Sequence, residues 1–324
     1  MRRSCRPGLV CGFFICYTVI MKKIIIKGPG MDEKQLNIED GSSMAEIAAG
    51  LTFPYRILLA RLNGIDTPLT EVPGDGDNIE FLDMRTHSAN LAYQRGVSML
   101  FLTAVQDVSE AKDLFGTRAV IENSLNKGFF TKITSESGAP QKTVETILKG
   151  VTAEDVAEIE ERMHELVRAD LPIESEYVTK EEGVRLWEKY GYPEKAELLA
   201  NVNDPNYVAQ FNRIDVPVEG GVRPYRNFFF GPLVPSTGYI EYFELIKYRD
   251  GMLLRFPYYN KPDIIPDFID DAKMYEAFSE EHNWLDLLHT PYLSDMNRVI
   301  ANGGSKEMIL LSEALHQKKI VEIA

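Results

Sequence analysis

The side chains able to do chemistry in this 324-residue chain are few and mostly isolated from one another. Its five histidines are His87, His164, His282, His289 and His316. None forms a His-x-x-x-His or His-x-x-His pair, the spacing that sets two imidazoles on one helix face to hold a metal. His164, between Glu161 and Glu165, reads as a core-edge or exposed residue beside solvated carboxylates. All three cysteines (Cys5, Cys11 and Cys16) fall in the first twenty residues. The remainder has neither a disulfide framework nor a thiolate metal site, which fits a reducing cytoplasm. Asp263, Asp267, Asp270 and Asp271 offer oxygen ligands suited to a hard cation. Interleaved Ile and Pro make them a solvated loop and helix start instead. Gly303-Gly304-Ser305-Lys306 lacks the G-x-x-x-x-G-K-[ST] spacing and the preceding apolar strand of a phosphate loop, and reads as a helix cap. No catalytic residue and no metal ligand set emerges from these residues.

The stretch Phe228-Phe229-Phe230-Gly231-Pro232-Leu233-Val234-Pro235-Ser236-Thr237-Gly238 is different, because Gly231-Pro232 and Pro235 dictate a tight, extended backbone path. It resembles the Cys-Arg-Gly-Pro-His-Val-Pro loop of the editing domain of threonyl-tRNA synthetases, where Cys and His help form a hydrolytic site. Phe229 stands at the Cys position and Leu233 at the His position. Those domains also carry His-x-x-x-His on an upstream helix, and the matching helix here has Arg95 and Met99 at the two places. Glu161-Arg162-Met163-His164-Glu165-Leu166 looks like the helix joining the two halves of such a domain. The resemblance implies an editing scaffold with all four ligands replaced. Apolar replacements favour packing or ring stacking over metal hydrolysis. Arg95, Asn123, Arg226, Phe229 and Leu233 are expected to outline a cleft for a nucleotide or RNA end, or a surface that only packs against a further domain. His87 has the wrong spacing to compensate.

A formal net charge of -14 opposes a broad, nonspecific grip on nucleic acid, and DNA is not expected as a partner. A local basic pocket from Arg95, Arg223 and Arg226 remains compatible with that balance. Residues 1–20 imitate a signal peptide, with Arg2, Arg3 and Arg6 before a short apolar run. No small-x-small cleavage site follows and the run is too short to span a bilayer, so no membrane association is expected. Met21-Lys22-Lys23 opens what reads as a complete domain, leaving 1–20 as an extension upstream of the natural start.

The elements expected to position these residues are of α+β type. In 21–84, Ile24-Ile25-Ile26, 35–38, 57–62 and 79–82 read as strands, with Ser43 and Glu46 forming a capping box for a short helix. This pattern is similar to the β-grasp TGS domain. Residues 85–275 read as the editing-like α+β domain. It holds a long helix over 91–108, a strand pair at 120–124 and 128–130, and a helix over 153–169 capped by Thr152. A second helix is capped by Thr179, and a hairpin turns at Asp250-Gly251. Residues 276–324 read as a helical tail, with Ser305 capping its last helix.

The order of TGS and editing-like units, together with the tail from Ser312 to Ala324, resembles bacterial nucleoside kinases of the uridine kinase/phosphoribulokinase type. That resemblance implies a non-catalytic N-terminal region, with the kinase domain as its partner in cis or trans. No cofactor is expected in this chain; ATP and Mg belong to the absent P-loop domain. Two alternatives stand beside it: an aminoacyl-tRNA editing hydrolase related to threonyl-tRNA synthetase, and a stand-alone RNA-binding module.

Overall fold

The computed structural model describes residues 4–10, 13–136, 138–204 and 206–323, and the side chains of all these except 4–10, 13–19 and 323. It begins with an antiparallel hairpin of β1 (Ser4–Val10) and β2 (Phe13–Val19). The stretch first read as an apolar extension is therefore in part a strand pair.

A five-stranded sheet follows, built from β3 (Met21–Gly28), β4 (Met31–Glu39), β5 (Ile57–Leu62), β6 (Ile65–Thr67) and β7 (Asn78–Asp83) in the order β4-β3-β7-β5-β6. Only β3 and β7 run parallel; the other neighbours are antiparallel. The helix α1 (Met44–Ala49) starts on the expected capping box, the Ser43 hydroxyl accepting from the Glu46 amide while the Glu46 carboxylate accepts from the Ser43 amide. It packs Met44 and Ile47 onto Ile24, Ile26, Ile57 and Phe81, closing one core.

The 25-residue helix α2 (His87–Ala111) then crosses to the main core, and α4 (Ala153–Ala169) lies against it. Asp83 tethers the entry to α2: its buried carboxylate accepts from the Arg85 amide and guanidinium, and its carbonyl from the Thr86 hydroxyl. Between α2 and α4 come β8 (Thr117–Leu125), β9 (Gly128–Ser135) and α3 (Gln141–Leu148). Thr152 caps α4 as expected, its hydroxyl accepting from the Asp155 amide.

The next segment forms a separate layer of β10 (Ile173–Thr179), α5 (Lys180–Lys189), α6 (Pro193–Ala200), β11 (Val208–Val218) and β12 (Gly221–Asn227). Its sheet order is β10-β11-β12 and both pairings are antiparallel. Trp187, Ala196, Leu199, Ala209 and Phe211 fill its own small core. β13 (Glu244–Tyr248) and β14 (Gly251–Arg255) complete a four-stranded sheet, β13-β14-β9-β8. The hairpin turn is Arg249-Asp250, not Asp250-Gly251. Arg249 takes the left-handed conformation at φ 50°, while Gly251 pairs with Tyr248 as the first residue of β14, where a Cβ would strike the Thr131 carbonyl oxygen at 2.3 Å.

Three helices end the chain: α7 (Ala272–Leu287), α8 (Leu293–Ala301) and α9 (Ser305–Ile323). α7 seats Tyr275 against Phe130 and Tyr248, α8 pairs Arg298 with Glu197 of α6, and α9 pairs Lys319 with Glu280 of α7. Asp271 caps α7, and Asp270 accepts from the Tyr248 hydroxyl, so these acidic residues are engaged in structure. Among the described residues no helix is long and apolar enough to cross a membrane, and no cluster of three or more His, Cys, Asp or Glu is arranged to hold a metal. The α+β class is as expected.

Candidate functional site

The Gly-Pro loop leaves β12 at Asn227 and is pinned to the C-terminal end of α4. Asp170, left-handed at φ 48°, takes the Ser236 hydroxyl and the Gly238 amide. Thr237 is fully buried; its hydroxyl donates to the Leu166 carbonyl at 2.6 Å and accepts the Leu171 amide at 2.8 Å. The Pro235 carbonyl receives the Ile173 amide. Val234 then lies against α2 where Gly96 removes the obstacle, since a Cβ there would stand 2.7 Å from Val234 Cγ2.

The four positions at which a ligand set is expected are occupied as follows. Met99 is fully buried and Leu233 nearly so, both in the main core. Phe229 is half-buried against the same core. Arg95 is half-buried; its Nη1 donates to the Pro232 carbonyl at 3.2 Å, and its guanidinium fills the space a Gly231 side chain would take, 3.2 Å from a Cβ built there. Gly231, at φ 91°, is the residue type that permits both the bend and the approach. Burial lowers the Arg95 pKa, opposed by Asp66, and the guanidinium makes no ion pair with a described residue. The loop thus brings Arg95, Phe229 and Leu233 to one place. Phe230, between them in sequence, is 81% exposed and edge-on to Phe228 at 4.7 Å.

The remaining expected residues sit on other elements, with partners of their own where any are seen. Asn123 is on β8, paired with Phe130 across the β8–β9 register. Arg226 is turned to Glu176 and to the Tyr190 hydroxyl, the latter at 2.8 Å. Arg223 is held by Asp107 and Glu110. The supposed basic pocket of three arginines is therefore one unpaired arginine and two paired ones. His164 stacks on Phe243 at 4.5 Å, and His87 is exposed at the start of α2.

Sequence reasoning missed Lys195, which sits in the first turns of α6 behind Pro193 at N1. Its ammonium donates to Asn227 Oδ1 at 3.1 Å and lies 4.5 and 4.2 Å from the ring centroids of Trp187 and Tyr192. Asn227 in turn donates to the Tyr225 hydroxyl and accepts the Phe228 amide, so Lys195 is joined to the root of the loop. Burial, reinforced by the positive charge of Arg118, lowers its pKa to about 8. No motif marks this lysine: it is some thirty residues from the loop, and tertiary packing of α6 beside the end of β12 brings them together.

No family model matches the chain. The threonine–tRNA ligase of Syntrophotalea carbinolica is 27% identical over 227 residues, covering 65% of this chain and 31% of that protein. That of Aromatoleum aromaticum is 30% identical over 182 residues, 56% and 23% of the two chains. That of Nitrosococcus oceani is 33% identical over 99 residues, 31% and 14%. This chain resembles part of a threonine–tRNA ligase. It spans about a third or less of the length of these relatives. The finding corrects the nucleoside-kinase expectation: the relatives are threonine–tRNA ligases, and the loop and tail residues on which a uridine kinase or phosphoribulokinase was expected do not establish one. The Arg298–Glu197 ion pair ties the tail helices to α6, and Lys319–Glu280 ties α9 to α7 within the tail.

Proposed function

We propose that this chain acts on the aminoacylated 3′ end of tRNA, as an editing-type deacylase of the threonine–tRNA ligase kind. In this reading Lys195 takes the place of the missing histidine and cysteine ligands. The observation that carries it is Lys195 itself, a partly buried side chain with its pKa lowered to about 8 and hydrogen-bonded to Asn227, the β12 residue from which the Gly-Pro loop leaves. An amine so tuned is a competent general base near neutral pH. The neutral Lys195 amine removes a proton from water as the water oxygen attacks the ester carbonyl carbon. The resulting ammonium returns that proton to the ribose oxygen as the ester C–O bond breaks. Arg95, an unpaired cation that reaches from α2 to the same loop, is available to a phosphate or a developing oxyanion.

The test is release of serine from Ser-charged threonine tRNA. The expected result is release above the buffer rate, rising with pH, half-maximal at about 8 and then levelling as Lys195 loses its proton. Lys195→Met should lower the rate by roughly 100-fold or more, the usual contribution of a general base. No release above buffer by the intact chain overturns the reading.

A binding-only role is favoured by one specific observation: Met99 and Leu233 place closed apolar packing where the editing domains hold their ligands. Saturable tRNA binding with the ester left intact would support that reading over hydrolysis.

A further inference from the structure

A cavity of about 170 Å³ opens between the C-terminal half of α2, the start of β8 and the α5–α6 corner. Two groups in its wall have unfilled hydrogen-bonding capacity among the described residues. The first is Glu136, half-buried, whose carboxylate makes no hydrogen bond or ion pair with a described residue. The carboxylate lies on the backbone of Gly191, where a built Cβ would come within 2.3 Å of either oxygen. A glycine at φ 73° is therefore what gives this carboxylate its place.

The second is Arg118, whose side chain is 10% exposed. Its Nη2 is taken by Glu194 and its guanidinium lies 4.2 Å from the centroid of the Tyr192 ring. Its Nε–H is buried with no acceptor. A buried donor left unpaired is unfavourable unless a ligand satisfies it.

The other charges at this wall are already matched or lie in solvent. Arg226 is held by Glu176 and Tyr190, Glu110 by Arg223, and Lys189 is exposed at the rim. One anion and one hydrogen-bond donor thus remain in the wall of a space lined partly by Tyr190, Tyr192 and Tyr225. A phosphate does not suit this arrangement, because Glu136 would repel it and Glu194 already occupies one face of the guanidinium. A polyamine does not suit it either, because Arg118 repels a second cation and its free N–H asks for an acceptor. A small zwitterion satisfies both.

We propose that this cavity binds a free α-amino acid, its ammonium group against Glu136 and its carboxylate against the Arg118 Nε–H. Burial raises the Glu136 carboxyl pKa above its ordinary value, with Arg118 opposing, and an ammonium partner would relieve that burial penalty. The site needs none of the deacylation chemistry. Its failure and the failure of that chemistry are separately observable.

The test is calorimetric titration of the full chain with L-serine and L-threonine, beside ethanolamine, which lacks the carboxylate, and lactate, which lacks the amine. The amino acids should give saturable heats, and each analogue should bind at least about tenfold more weakly, as expected for one lost charge-assisted hydrogen bond. Glu136→Gln should weaken amino-acid binding by about the same factor while leaving the circular-dichroism spectrum unchanged. Absence of saturable binding by either amino acid overturns the proposal. So does equal binding of ethanolamine or lactate, a result that stands even if the variant fails to fold.

Discussion

Lys195 sits in an environment that disfavours its charge, and its effect on stability has a definite sign. Its folded pKa of about 8 lies below the ordinary 10.5. Below about pH 8 both folded and unfolded chains hold the proton, and the folded state carries the full penalty of a buried ammonium. Between about 8 and 10.5 the unfolded chain holds the proton and the folded one has released it, so stability rises with pH. Above 10.5 neither is protonated and the penalty is gone. The interval corresponds to about 3 kcal/mol. Urea unfolding across this window should show the stability of the wild type rising relative to Lys195→Met by an amount of that order. A constant difference between the two proteins would contradict the assigned environment. The role of Lys195 was not legible in the sequence, since a lysine in a polar helix start is ordinarily solvated. Its significance comes from Trp187, Tyr192 and Asn227, which tertiary pairing places around it. Arg95, Phe229 and Leu233 were grouped only through the resemblance to the editing domain, since Gly231 and the prolines fix the loop locally but say nothing of a residue on α2. The pairing of Arg226 was not legible, because nothing in the sequence reports that Glu176 faces it.

Among the elements, the Gly-Pro loop behaves as a strap between α2 and α4, and its two anchor points can be tested separately. Thr237 replaces two backbone contacts with one buried hydroxyl. Thr237→Val keeps the shape but leaves the Leu171 amide and the Leu166 carbonyl unpaired on that side. It should cost about 1–3 kcal/mol in chemical denaturation. At the other anchor, Gly96→Ala should raise helix propensity by about 1 kcal/mol in α2. The added methyl would meet Val234 at 2.7 Å, and Val is stiff at χ1, so the methyl cannot be accommodated by a simple rotation. Overpacking of about 1–3 kcal/mol then outweighs the propensity gain, and the expected outcome is net destabilisation. An increase in Tm for this variant would show that the strap does not press on the helix. The contrast between elements also explains what could be read from sequence. α1, α4 and α5 were legible because Ser43, Thr152 and Thr179 accept amides three residues ahead, a signal contained in the sequence itself. β12 was not, since Arg223, Pro224 and Arg226 do not alternate as a half-buried strand does, and its register comes from pairing with β11.

At the scale of the whole molecule, the first sheet and the helical layer beyond it share apolar contacts. Leu58, Leu59, Leu82 and Met84, from the five-stranded sheet and its exit, belong to the same buried cluster as Val97, Leu100 and Met252. Tyr239 packs against both this cluster and the one inside the sheet. Arg56 lies 3.9 Å over its ring, donating to the Gly238 carbonyl at 2.8 Å and pairing with Glu241. A sheet so bound does not end at its own core. Cutting the chain after Arg85 would leave those four apolar side chains facing water, where buried leucine- or methionine-sized groups contribute about 1.5–3 kcal/mol each. The fragment of residues 20–85 should therefore melt well below the intact chain, and calorimetry of the intact chain should show the sheet unfolding together with α2 and α4 in one transition. Two resolved transitions, the first at the melting temperature of the isolated fragment, would mean that the shared cluster contributes little. The Arg56–Tyr239 contact would then be a surface pairing, not a joint between layers.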